Sequence, residues 1–234
     1  MMQSWPPAYT LKRHPRAKRV RLRASNQRGL EIIVPTSFNP KHLAALLDEN
    51  RAWIEKHVSP RAAMLLSQKD FLPTELVFSA LQMVWKVHYL PTESRLKLFV
   101  RPSQELVLVG SLQDKQACKQ KLLRWIKAFA TEQLLAFLAR TSLEVGLAYS
   151  KGSVRNQATR WGSCSRTKAI SLNYKLIFLP QAWVRHTLLH ELCHTVHLDH
   201  SQRFWGLLAT LDPDWQEHRR KMRKASVWLP SWLP

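Results

Sequence analysis

The chain has few cysteines and few acidic residues, and it contains no long apolar run. Its three cysteines are Cys118, Cys164 and Cys193, and this odd, widely spaced set has no disulfide-scaffold spacing. No apolar stretch approaches the roughly 20 residues that a membrane-spanning helix needs. Residues 1–9 lack the basic and apolar segments of a secretory signal peptide. These absences favour a cytoplasmic protein without a membrane span.

The shortage of acidic residues leaves the chain strongly basic. The 36 Lys and Arg residues outnumber the 16 Asp and Glu residues, which gives a formal net charge of +20. No acid precedes Glu31, a second acid-free stretch runs over 145–190, and a third basic cluster lies over 219–224. We therefore expect non-specific nucleic-acid binding through the basic surface, with acidic peptides or anionic lipids as alternatives. The sequence contains no helix-turn-helix, zinc-finger or RNA-binding motif.

The first half of the chain, residues 1–110, indicates a small β-rich module with one helix. Alternating apolar and basic residues predict a strand hairpin over 20–34 with its turn at 26–29. The apolar spacing over 40–58 is typical of an amphipathic helix. Short alternating runs separated by turns predict an antiparallel meander over 75–109.

The second half, residues 111–234, indicates a catalytic domain in which helices dominate. A long helix is predicted over 113–145, where Gly146 ends it. Strands are predicted over 154–159 and 169–173, on either side of a Trp-Gly-Ser-Cys turn. Three further helices are predicted: the one that carries residues 184–192, one over 202–211 and one over 215–225. The fold class predicted for the whole chain is α+β.

The most specific motif is His190-Glu191-Leu192-Cys193-His194. Histidines four residues apart lie on one face of a helix, so both imidazoles can bind one metal ion. Glu191, next to the first histidine, can take a proton from a water molecule on the metal. A catalytic zinc site uses three protein ligands and keeps a fourth position open. The motif therefore predicts a zinc site that needs one more ligand.

His197 and His200 are the candidates for that third ligand. On a continuous helix His197 would lie roughly 10 Å beyond His190, at a rise of about 1.5 Å per residue. Zn–N bonds are about 2.0–2.1 Å long, so the helix must break first. The polar turn around His200 predicts this break, with Ser201 as the N-cap of a new helix. His200 also follows His194 at the spacing of the metzincin pattern. We therefore predict three zinc ligands: His190, His194 and His200.

The residues around the motif receive structural predictions. His197 is predicted to lie behind a ligand or at the surface. Cys193 faces away from the two histidines of the motif and is predicted to be a small buried residue. Trp161 is predicted to anchor packing, and Cys164 to be buried, with a regulatory zinc-binding thiol as the alternative. For stabilising an oxyanion, the sequence offers Tyr174 or a nearby Arg or His side chain without deciding among them.

Six blocks in the second half stand in the order and spacing of a known family: Arg160 to Ser165, Ile170 to Leu176, Leu179-Pro180, the His-Glu-x-x-His motif, His200-Ser201 and Phe204-Trp205. In these blocks the chain resembles the YgjP-like metal-dependent hydrolases, which are predicted metallopeptidases similar to the WLM and SprT-like zincin peptidases. The resemblance implies a zincin-like domain whose active-site helix packs against a small antiparallel sheet. It also implies that His190, His194 and His200 bind Zn²⁺ and that Glu191 is the general base.

The motif and the resemblance together predict a zinc metallopeptidase that acts on peptide or protein substrates. We expect the strand pair around 154–173 to offer an edge to which an extended substrate adds as a strand. Two alternatives remain: a metal-dependent hydrolase of non-peptide amides or esters, and a nucleic-acid-associated protein whose zinc site is catalytically silent. Glu191 argues against the second, because a structural zinc site has no use for that carboxylate.

Overall fold

A computed structural model of the chain describes residues 5–7, 9–25, 29–57 and 72–233. Within these residues it contains six α-helices and three small mixed sheets, so the predicted α+β class is confirmed. The chain divides into two compact units, Met1–Phe71 with Ser231–Pro234 and Leu72–Pro230. No helix in the described part of the chain is long and apolar enough to cross a membrane.

The first unit contains a three-stranded sheet. Its strands are β1 (Tyr9–Arg13), β2 (Arg21–Ser25) and β3 (Gly29–Val34), in the order β1-β3-β2. The antiparallel pairing of β2 with β3 confirms the predicted hairpin, although turn residues 26–28 lie outside the described residues. Strand β1 adds to β3 in parallel, a pairing that the sequence did not predict.

The predicted helix over 40–58 is divided into shorter pieces in the structure, and residue 58 lies outside the described residues. A 3-10 turn over Pro40–His42 precedes α1 (Leu43–Glu49) and α2 (Arg51–His57). The break is at Asn50, whose side-chain amide donates to the carbonyl oxygen of Leu46 at 2.8 Å. Such a bond competes with regular helix hydrogen bonding, which explains a break that apolar spacing alone does not reveal. Both helices bury apolar residues against β3 in a core of Leu30, Ile32, Val34, Leu47 and Ile54.

The second unit begins with a four-stranded sheet. Its strands are β4 (Glu75–Phe78), β5 (Met83–Pro91), β6 (Lys97–Arg101) and β7 (Glu105–Gly110), in the order β4-β5-β7-β6. The predicted antiparallel meander is wrong, because β5 pairs with β7 in parallel. Burial explains the order: Leu106, Val107 and Leu108 of β7 are buried, whereas most of β6 is exposed. The more apolar strand therefore occupies the inner position.

A long helix, α3 (Lys115–Val145), packs against this sheet. Asp114 caps its first turn, and Gly146 ends it with a positive φ of 69°. The buried face recurs every four residues, as in an amphipathic helix: Cys118, Leu122, Ile126, Ala130, Leu134 and Leu138. Aromatic rings join the sheet to the helix: Phe78, Trp85, Trp125 and Phe129. Because of this shared core, the compact units divide after residue 71, whereas the sequence placed a boundary after residue 110.

The last sheet precedes the His-Glu-x-x-His motif in the sequence. It consists of β8 (Lys151–Arg155), β9 (Gly162–Cys164) and β10 (Ala169–Asn173), in the order β8-β10-β9. Strand β10 has its predicted bounds, whereas β8 begins three residues earlier and ends four residues earlier than the predicted strand over 154–159. The prediction of an antiparallel sheet is wrong for one pairing: β9 is antiparallel to β10, but β8 runs parallel to it.

Three helices follow the last sheet. They are α4 (Gln181–Cys193), α5 (Gln202–Leu211) and α6 (Trp215–Met222). Helix α5 has its predicted bounds, and α6 stops three residues before the predicted end at residue 225. Leu189 and Cys193 of α4 pack against Phe204 and Leu208 of α5, so these two helices share one core.

Candidate metal centre

Helix α4 presents a row of imidazoles along one face. His186, His190 and His194 are spaced four residues apart, and the ring centroids of His190 and His194 are 4.9 Å apart. This is the arrangement that i, i+4 spacing produces on a helix. Helix α4 ends at Cys193, where the amides of Val196 and His197 both donate to the carbonyl oxygen of Cys193. The predicted helix break before His200 is thus confirmed.

After the helix ends, the chain turns back and brings the His200 side chain next to His190. The Nε2 atoms of His200 and His190 are 3.2 Å apart. One ligand atom from each of His190, His194 and His200 lies within 4.8 Å of the other two. Two nitrogens on a tetrahedral zinc ion with bonds of about 2.0–2.1 Å are about 3.3 Å apart. The three imidazoles therefore fit a zinc ion after small side-chain adjustments.

The environment of His194 orients its ring. Nδ1 of His194 donates to the carbonyl oxygen of His197 at 2.9 Å, which leaves Nε2 as the free ligand atom. Hydrogen bonds of this kind fix the tautomer of a metal-binding histidine. The main chain of His197 therefore lies behind the candidate ligand His194, while the side chain of His197 is not among the converging groups. Ser201 occupies the N-cap position of α5, but its side chain makes no capping hydrogen bond.

Two aromatic residues of α5 pack against the three imidazoles. Phe204 is fully buried, stacks on His194 at 4.5 Å between ring centroids and presents its edge to His190 and His200. Trp205 stacks on His200 at 5.3 Å. Apolar rings around a metal site limit its access to solvent and restrict the rotation of its ligands. The sequence predicted that these two residues of the 202–211 helix pack against the core, but it did not predict their contacts with the histidines.

Burial also favours the neutral, metal-binding form of the imidazoles. Burial, with smaller contributions from the neighbouring rings of His194 and His200, lowers the pKa of His190 to about 3. The pKa of His200 is lowered as well, first by burial and then by His194. A histidine must be unprotonated to bind a metal, so these pKa values suit a ligand set.

Glu191 lies on the buried side of the same helix and is 5% exposed. Burial raises the pKa of its carboxyl to about 8, and the positive charge of Arg160 opposes that rise. Strand β9 closes over this carboxyl: a Cβ atom on Gly162 would lie 2.6 Å from Oε1 of Glu191. Such a contact is too short for any side chain, so only glycine lets the β9 backbone approach this closely.

The segment before β9 is held in place by Asn173, at the end of β10. Its buried side-chain amide donates to the carbonyl oxygens of Gln157 and Arg160 at 2.8 and 2.9 Å. Its main-chain amide donates to Trp161, whose indole in turn donates to the carbonyl oxygen of Met222 at 3.2 Å. This bond agrees with the predicted anchoring role of Trp161. Asn173 thereby fixes the segment that places Gly162 on Glu191, a role that the sequence did not predict.

The other predicted residues lie in varied surroundings. Tyr174 is 1% exposed, its hydroxyl group has no hydrogen-bond partner among the described residues, and Lys127 of α3 lies over its ring at 5.5 Å. Neither observation involves the three histidines, so a role for Tyr174 in stabilising the oxyanion stays a prediction. Cys193 is fully buried, as predicted. Cys164 is partly buried, and its pKa is raised by burial and then by the charge of Glu191.

Two features of this region escaped the sequence analysis. Arg219 of α6 lies over the Trp205 ring at 4.6 Å, and its positive charge contributes to the low pKa values of His190 and His200. A second group of ligand-type side chains contains His186, Asp212 and His218. The spacing of His186 one turn before His190 was the available signal for that group.

The comparison with protein families decides the affiliation. The family model for the YgjP-like metallopeptidase domain matches residues 18–225, nearly the whole chain. The chain belongs to the YgjP-like metallopeptidase family. The predicted resemblance is thereby confirmed, and membership implies a divalent metal, typically zinc, and protein or peptide substrates. Searches of curated proteins and of solved structures gave no match.

The bonds of Asn173 generate a stability prediction. Asn173→Ala leaves two carbonyl oxygens without their donor and should lower the free energy of unfolding by about 1–3 kcal/mol. Asn173→Asp keeps the side-chain shape but removes both donors, so it should destabilise the protein as well. Urea unfolding followed by circular dichroism measures both changes. An Asn173→Asp protein that unfolds at the same urea concentration as the parent would show that these bonds contribute nothing.

Proposed function

We propose that this YgjP-like protein is a zinc-dependent peptidase in which His190, His194 and His200 hold the metal and Glu191 is the general base. The observation that carries this proposal is the convergence of three histidine ligand atoms within 4.8 Å at the end of α4. Family membership supports the reaction class, and three neutral imidazoles suit zinc among the common divalent ions.

The chemistry that we propose divides between the metal and Glu191. Zinc bound there supplies Lewis acidity and positive charge, which activate a water molecule, polarise the substrate carbonyl and favour the ionised form of Glu191. Glu191 accepts a proton from the attacking water and transfers it to the leaving amine. The close approach of Gly162 to Glu191 restricts the rotation of this carboxylate, which keeps it in one orientation for both proton transfers.

We propose that the substrate chain extends along β9. This strand pairs with β10 on one side and stands at the edge of its sheet. Main-chain groups at a sheet edge can pair with an extended peptide with little demand on its side chains. Because Gly162 of β9 touches Glu191, a peptide added to this edge would pass beside the proposed base. The sequence predicted only that the strand pair around 154–173 offers a substrate-binding edge; we now propose that β9, which is antiparallel to β10, is the strand that provides it.

The role of Glu191 is tested by Glu191→Gln. We expect hydrolysis of an unfolded protein substrate to fall by about 100- to 10,000-fold, because the amide cannot accept the proton. Zinc content should stay that of the parent, since the three histidines are unchanged. Glu217→Gln, on exposed α6, is the matched control and should keep full activity. Equal hydrolysis by Glu191→Gln and the parent would show that another group is the base.

The closure of β9 over the base is tested by Gly162→Ala. The added methyl group displaces the carboxylate of Glu191, and a misplacement of about 1 Å costs about 100-fold in rate. Zinc binding should persist, so the loss should appear in kcat with metal content unchanged. Gly206→Ala is the control, because a Cβ atom there meets nothing within 4 Å. Full activity in Gly162→Ala would contradict the proposal that Gly162 orients the carboxylate of Glu191.

Arg219 is our candidate for stabilising the oxyanion. Its guanidinium group lies over the Trp205 ring at 4.6 Å, and Trp205 stacks on His200. The charge of Arg219 lowers the pKa of both His190 and His200, so this cation is within electrostatic reach of two proposed ligands. No ion pair joins Arg219 to a carboxylate within the described residues, which leaves its charge available for a substrate. A positioned cation near a developing oxyanion stabilises the transition state.

Substitution of Arg219 tests whether its charge stabilises the oxyanion. Arg219→Ala should lower kcat by about 100- to 1,000-fold, the effect of losing one oxyanion donor. Arg219→Lys should restore part of the loss, because it keeps the charge but not the planar group. The neighbouring exposed residue offers a control, since Arg220→Ala should leave kcat unchanged. An unchanged kcat in Arg219→Ala would assign the oxyanion to another group.

The alternatives differ in their support. Hydrolysis of a non-peptide amide or ester would use the same residues, so a substrate panel separates it from peptidase activity. A catalytically silent zinc site is not favoured. The carboxyl group of Glu191 is buried against Gly162, and a purely structural zinc site has no evident use for it. Non-specific nucleic-acid binding stays a prediction from the net charge of +20 alone.

A further inference from the structure

A second cluster of metal-binding side chains lies beside the proposed centre. Nδ1 of His186 is 2.6 Å from Oδ2 of Asp212, and Nδ1 of His218 is 3.0 and 3.1 Å from the two carboxylate oxygens. The residues come from three places in the fold: α4, the C-terminal end of α5, and α6. One ligand atom from each lies within 4.8 Å of the other two.

The burial of this cluster distinguishes it from histidines that meet an acid at the surface. His186 is 5% exposed and Asp212 is 7% exposed, and the side chain of His218 is 18% exposed. A buried carboxylate is costly unless it is paired or coordinates a metal. Both imidazoles turn the same nitrogen, Nδ1, towards this one carboxylate, so three ligand atoms face one point from three helical elements.

We propose that His186, Asp212 and His218 form a second divalent-metal site, which takes a zinc-type ion through the two Nδ1 atoms and a carboxylate oxygen. Two imidazoles and one carboxylate are a ligand set that zinc accepts, with water completing the coordination. In the metal-free protein each ring donates its Nδ1 proton to Asp212. When the ion binds, these protons leave to solvent and the ion takes their place between the rings and the carboxylate.

The distances allow this exchange without a change of fold. Ligand atoms on a tetrahedral zinc ion are about 3.3 Å apart. The two contacts of His218 are already close to that value, and the contact of His186 must widen from 2.6 Å by a small rotation of the side chains. The bound ion would connect α4 to the end of α5 and to α6.

This site is separate from the three-histidine centre because it shares no ligand with it. His186 and His190 are one helical turn apart, with ring centroids separated by 6.3 Å. Each centre can therefore be emptied by a variant that leaves the other intact. The proposal stands independently of peptidase activity, since it concerns what the cluster binds.

Metal stoichiometry tests the proposal on the full chain. Metal-free protein is incubated with zinc, freed of excess ion by gel filtration and analysed by elemental mass spectrometry. We expect about two zinc ions per chain in the parent and about one in Asp212→Ala, in His218→Gln and in His194→Ala. Asp214→Ala, two residues from Asp212 and exposed, is the matched control and should retain both ions. Circular dichroism checks that each variant is folded. If Asp212→Ala does not fold, the zinc content of His218→Gln decides the test.

The pattern of losses separates this proposal from the proposed function. If zinc is lost only in Asp212→Ala and His218→Gln and is unaffected by His194→Ala, the second site stands and the three-histidine centre fails. If His218→Gln and Asp212→Ala bind as much zinc as the parent, the cluster is a hydrogen-bonded triad without metal and the proposal is overturned. Substituting cobalt provides a second readout, because the visible absorption of one bound ion should disappear with His218→Gln.

Discussion

The candidate centre depends on the end of helix α4 at Cys193. A helix that continued would carry His197 away along its axis and leave His190 and His194 without a third imidazole. Instead the chain turns over residues 194–199 and brings Nε2 of His200 to 3.2 Å from Nε2 of His190. Phe204 stabilises this reversal, because the fully buried ring contacts all three imidazoles and holds the start of α5 across the end of α4.

A second constraint fixes Glu191, and it comes from residues that precede α4 in the chain. The carboxyl group comes from α4, but the surface that encloses it comes from β9, where glycine alone permits the contact. Asn173 connects the two, because it ends β10 and binds the segment that leads into β9. The sequence blocks in which the chain resembles its family thus have a physical meaning, because most of them contribute a residue to one candidate site.

Local patterns predicted the parts of this site that are local. Histidines at i and i+4, the helix break before His200 and the bounds of β10 and α5 all follow from spacing and propensity within a few residues. The pairing of β5 with β7 and of β8 with β10 does not, because alternation along a strand reveals its buried face and not its neighbour. The contact of Gly162 with Glu191 and that of Asp212 with His186 also join residues far apart in the sequence. Local patterns could not predict them, and only the folded structure reveals them.

Crystallography of the zinc-loaded protein, with anomalous diffraction measured at the zinc absorption edge, tests the central claim most directly. We expect an anomalous peak about 2.0–2.1 Å from Nε2 of His190, His194 and His200, with an open position that faces Glu191. A zinc ion coordinated by His197 or directly by Glu191 would contradict the assignment of ligands and base. The absence of any peak among these three imidazoles in zinc-loaded crystals would contradict the metal centre itself.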